Sequence, residues 1–83
     1  MNRPLWLTEQ VESIAREMKK LHDCNRPCNH LAPFLADLLE ENDAPHIAYD
    51  NKEDQLKYLK ENAPKNPFTG YICAERIVAM LEG

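Results

Sequence analysis

No stretch of this 83-residue chain alternates apolar and polar residues in the way a half-buried strand does. Its apolar positions recur instead at intervals of three and four, in segments separated by proline- and asparagine-containing breaks. β-Branched residues are few and scattered. The pattern predicts an all-α fold: a compact irregular bundle of about four short helices, in a single helical domain over residues 1–83. A domain of this size buries only about 60–65% of the surface its unfolded chain exposes. A partner, a metal or a second copy would add stability to such a chain.

Thr8 is placed to cap a first helix running to about Asp23, with Val11, Ile14, Ala15, Met18 and Leu21 on one face. Trp6 and Leu7 precede the cap and are expected to fold back on the core, with an exposed anchoring role for Trp6 as the alternative. Glu9 and Glu12 in the first turns and Lys19 and Lys20 near the last follow the helix dipole. A connector, Asp23 to His30, leads to a second helix that starts between His30 and Pro33 and ends near Asn42. Phe34, Leu35, Leu38 and Leu39 form its expected apolar face. Asp50 and Glu53 match a capping box for a third helix reaching about Asn62, whose stripe of Leu56, Tyr58, Leu59 and Ala63 is thin. Thr69 is the expected cap of a fourth helix, strongly apolar through Ile72, Cys73, Ile77, Val78, Met80 and Leu81, and therefore central.

Several functions are excluded by what the chain lacks. With Gly70 and Gly83 as its only glycines, it has no phosphate-cradling loop or dinucleotide fingerprint. Its one serine, Ser13, falls mid-helix, a poor position for a hydrolase nucleophile or for an acyl-carrier attachment site. A net charge of −4 without a basic stripe argues against nucleic acid as the ligand. No apolar run approaches membrane-spanning length. The N-terminal residues turn polar by Thr8, without the core of a signal peptide, which points to a cytoplasmic protein. Three cysteines, an odd number, suit free thiols or a metal site better than a disulfide framework.

Two constellations carry possible chemistry. His22, Cys24, Cys28 and His30 place four zinc-type ligands within nine residues of one connector. Their spacing differs from the paired motifs of zinc fingers and ribbons, and the bland reading is two cysteines packing helix ends beside two surface histidines. Arg26 and the following helix start could also activate Cys28 as a nucleophile, without any visible partner for it. No cofactor is expected on the main reading; zinc at these four residues is the alternative.

The second constellation is acidic. Asp37, Glu40, Glu41, Asp43, Asp50, Glu53 and Asp54 face Lys52 alone, so this segment carries net −6. Residues 16–26 carry net +2, which predicts an electrically polarised molecule. His46, Tyr49 and Tyr58 lie within or beside the acidic tract, and tyrosines are frequent interface anchors, although for either tyrosine alone packing against the other or against the core is the simpler reading.

These ten residues, the seven acids with His46, Tyr49 and Tyr58, form the expected partner-binding surface. The expected function is that of a non-enzymatic binding module that docks on a basic protein surface and modulates or inhibits it. An immunity, antitoxin or phage accessory protein acting against a nuclease or defence complex is such a setting. The alternative is a zinc-stapled module. The apolar fourth helix leaves a homodimer open, though no heptad repeat calls for one.

Overall fold

The structure, a computed structural model, describes residues 3–83. Among them are four α-helices and no strand: α1 (Glu9–Asp23), α2 (Ala32–Glu41), α3 (Lys52–Glu61) and α4 (Tyr71–Glu82). A short 3₁₀ turn, Asn29–Leu31, leads into α2. The all-α bundle is as the spacing predicts. No helix among the described residues is long and apolar enough to cross a membrane.

α1 begins where expected. Thr8 is extended, and its Oγ1 accepts the Val11 N–H at 3.3 Å. Val11, Ala15 and Met18 are buried, with Ile14 and Leu21 packed at the edge of the core. Trp6 and Leu7 fold back and are buried.

Two helices end in the same way, and neither uses glycine. Asn25 (φ 57°) and Asp43 (φ 54°) take the left-handed position that follows a helix C-terminus. After α1, Arg26 N–H donates to Leu21 O at 2.8 Å and Asn25 N–H to His22 O at 2.9 Å. After α2, Ala44 N–H donates to Leu39 O at 2.8 Å and Asp43 N–H to Glu40 O at 3.2 Å. Both are Schellman motifs, and Asn and Asp are the non-glycine residues best able to occupy their left-handed position.

The buried face of α2 is Ala32, Leu35, Ala36 and Leu39. This corrects the expected face: small alanines let α2 approach its neighbours closely, which turns the helix and puts Phe34 outside, 60% exposed. In α4 the same happens. Cys73, Ala74, Ile77 and Val78 are buried, while Ile72 and Met80 are 50% and 47% exposed.

Two caps also differ from expectation. Asn51, not Asp50, caps α3: its Oδ1 accepts Asp54 N–H at 2.7 Å and its Nδ2 donates to the Asp54 carboxylate at 2.8 Å. Thr69 does not cap α4. It is buried, and its hydroxyl lies 3.0 Å from Asn62 O and 2.9 Å from Asn66 O, closing the turn before α4. Gly70 stands at the cap position with φ 95°. A Cβ on Gly70 would overlap Met18 of α1 and lie 3.3 Å from Ala32 of α2 and 3.4 Å from Leu59 of α3. All four helices therefore meet at this residue.

Candidate functional site

The acidic tract is assembled from the end of α2, the 42–51 connector and the start of α3. Asp37, Glu40, Glu41, Asp43, Asp50, Glu53 and Asp54 are all exposed. α2 packs on α3, and this brings in a cation that the tract itself lacks. Lys60 Nζ lies 3.2 Å from Asp37 and 3.6 Å from Glu40. Lys52 Nζ reaches Asp43 at 2.7 Å, and this hydrogen bond holds the Asp43 carboxyl below its ordinary pKa. Glu41, Asp50 and Glu53 make no ion pair among the described residues. Over residues 37–61 there are eight acidic and three basic side chains, net −5.

The connector is held in place by a residue with no role in the sequence-based expectation. Gln55, on α3, is fully buried. Its Oε1 accepts the N–H groups of Ile47 at 2.6 Å and Ala48 at 3.1 Å, and the Cys73 thiol lies 3.8 Å away. Two backbone donors on one oxygen fix the orientation of the amide. Its Nε2 is buried without a partner among the described residues. From the other side, Arg76 Nη1 donates to Ile47 O at 2.6 Å. Burial beside Gln55 pushes the Cys73 thiol up to about 12, so it stays protonated.

Tyr49 and Tyr58 lie against each other, ring centroids 4.6 Å apart at 40°. Both are half-buried, and burial raises the Tyr49 phenol above its ordinary value. The pair closes one side of the connector and leaves part of each ring at the surface. His46 is exposed. It lines a hollow of about 430 Å³ with Trp6, Ile47, Arg76 and Met80 among its walls.

The Cys/His connector is distributed differently. Cys28 is buried; its N–H donates to Pro67 O at 2.9 Å and its Sγ lies 3.9 Å from Thr69 O. Burial raises its pKa, which disfavours the thiolate that a nucleophile needs. Asn29 N–H shares Pro67 O at 3.2 Å, and the Asn29 side-chain amide donates to Ala63 O. His22 stacks on Tyr71, with centroids 3.5 Å apart at 12°, and meets Phe68 edge-on at 5.3 Å. Cys24 and His30 are exposed. Among the described residues no three His, Cys, Asp or Glu side chains converge as a metal site, so His22, Cys24, Cys28 and His30 are not gathered. What the connector does is stitch itself to the 63–69 turn.

The expected basic pole is diluted. α4 packs along α1 and brings Glu82 within 3.5 Å of Arg16, which also meets Glu12 at 3.4 Å. Lys19 pairs with Asp23 at 3.0 Å. The polarity of the molecule rests on the acidic face, not on a balancing basic one.

Comparison with protein-family models, with curated proteins and with solved structures returns no match. The functional reading therefore stands on the chain's own geometry.

Proposed function

We propose that this chain is a protein-binding module whose acidic face docks on a basic protein surface and modulates or inhibits the partner. The observation that carries this reading is the set Glu41, Asp50 and Glu53. All three are exposed and without ion pairs among the described residues, on a connector and helix ends fastened by Gln55 and Arg76. Preorganised like-signed charge speeds encounter and rejects wrong partners more than it adds affinity. Such a face suits a groove built to take phosphates, the setting of a nuclease inhibitor of immunity, antitoxin or phage accessory type. An exposed Cys24 without a disulfide suits a reducing, cytoplasmic setting.

The test compares the wild-type chain with a variant reversed at Glu41, Asp50 and Glu53, used as baits in the source-cell lysate. A control bait reverses Lys20 and Arg26. The expected result is a basic partner held by the wild type and by the control, released by salt and lost with the acidic-face variant. Equal capture by all three baits, with the same salt dependence, would sink the reading.

A further inference from the structure

A second surface borders that face and shares Asp37 with it. Between α1 and α2 lies an open groove of about 540 Å³. Its apolar wall is Ile14 of α1 with Phe34 and Leu38 of α2. Phe34 stands here because the alanine face of α2 turns it away from the core, and 60% of its surface is left to solvent. The rim carries Glu9 and Asp37, and no Lys or Arg lines the groove. Lys60 reaches Asp37 from the α3 side, at 3.2 Å. Glu17, three residues on from Ile14, and Glu41, three on from Leu38, continue the two helix stripes with negative charge.

An apolar slot with a carboxylate rim selects its occupant by charge. A second copy of this chain, meeting the groove isologously, would bring one carboxylate rim, Glu9 and Asp37, up against the other, in a protein of net −4. A basic amphipathic helix avoids that opposition. Its apolar residues at three- and four-residue spacing would enter beside Phe34, with flanking lysines or arginines meeting the carboxylates. We infer that the α1–α2 groove is a docking site for a basic amphipathic helix of a partner protein, with Phe34 as its central contact.

The probe is an amidated leucine/lysine peptide of about 14 residues, roughly 20 Å of helix, with leucines at helical spacing. Two companions replace lysine by glutamate, or leucine by serine. Binding is read by titration calorimetry against the wild-type chain, Phe34→Ser, Phe34→Leu, Glu9→Lys with Asp37→Lys, and Asp50→Lys with Glu53→Lys. Circular dichroism checks that each variant keeps its helices, which the exposure of Phe34 favours.

The leucine/lysine peptide is expected to bind the wild type, and each companion at least about tenfold more weakly. Phe34→Ser and the Glu9/Asp37 reversal should each weaken it about tenfold, equivalent to about 1.4 kcal/mol, while Phe34→Leu restores most of the affinity. Unchanged binding by Phe34→Ser overturns the inference, as does equal binding of the glutamate companion. Reversible dimerisation of the wild type in sedimentation, abolished by Phe34→Ser, also overturns it, since a second copy would then fill the groove. Weakening by the Asp50/Glu53 reversal alone refutes the groove but leaves the acidic-face reading standing. Weakening by Phe34→Ser alone supports the groove, and the lysate experiment then judges the acidic face separately.

Discussion

The α1–α4 side and the α2–α3 side of this bundle are held by different chemistry. Between α1 and α4 the buried residues are apolar, Val11, Ala15 and Met18 on α1 and Ala74, Ile77 and Val78 on α4, and the charges at the margin cancel as Arg16 meets Glu82. Between α2 and α3, Leu35, Ala36 and Leu39 share the interior with Leu59 and with the amide of Gln55. Outside lie carboxylates that Lys52 and Lys60 only partly offset. An apolar seam tolerates small volume changes, whereas a buried polar group is costly when its partners are taken away. The side that presents the acidic face is thus the one whose loop depends on polar anchors, the buried Gln55 amide and, from α4, Arg76.

The largest effect is expected where the two sides join. Gly70→Ala places a side chain at φ 95° and against Met18, Ala32 and Leu59 together. Left-handed backbone and overpacking each cost on the order of 1–3 kcal/mol, so a loss of about 3 kcal/mol is expected by denaturant titration. Amide exchange should accelerate in all four helices at once. Acceleration confined to one helix pair would break the view of Gly70 as their common junction.

Gln55→Leu should separate the sides. It keeps the approximate volume but strips the acceptor from the Ile47 and Ala48 amides. A loss of about 2 kcal/mol is expected, against less than about 1.5 kcal/mol for Met18→Leu in the apolar seam. The Ile47 and Ala48 amides should exchange fastest, with α1 and α4 little affected at their protected core. Equal losses from the two variants, with no local change at the loop, would erase the distinction.

The sequence makes these two sides unequally legible. α1 reads correctly because its cap, charge order and apolar stripe agree. α3 and its loop read less well. Asp50–Glu53 and Asn51–Asp54 offer the same three-residue spacing, and only the second forms the reciprocal cap. Gln55 looks like an ordinary solvent-facing helix residue; its one signal is its place four residues before Leu59, on the same face. Phe34 misleads for the opposite reason. Size and apolarity assign it to the core, but Ala32 and Ala36 take that face and leave it outside. The charge of the acidic tract was plain from residue order. The pairing of Lys60 with Asp37 and Glu40, and of Arg16 with Glu82, needed the packing of helices distant in sequence.

The smallest effect bears on whether the acidic side keeps its charge at a cost. The last turn of α1 holds Lys20, whose charge complements the negative end of its dipole. The last turn of α2 holds Glu40 and Glu41, with no basic residue. Lys60 compensates Glu40, but Glu41 has no ion partner among the described residues. Glu41→Lys is therefore expected to raise stability by about 0.5 kcal/mol at low salt, the usual size of a helix-end charge effect, with the gain fading as the ionic strength rises. Lys20→Glu should move stability the other way by a similar amount. If the reading of the acidic face is right, the stabilised Glu41→Lys protein also holds its basic partner less well, and the two changes shrink together in salt. A variant that is more stable and equally good at capture would make Glu41 a tolerated surface charge, and the docking face would contract to the connector and the start of α3.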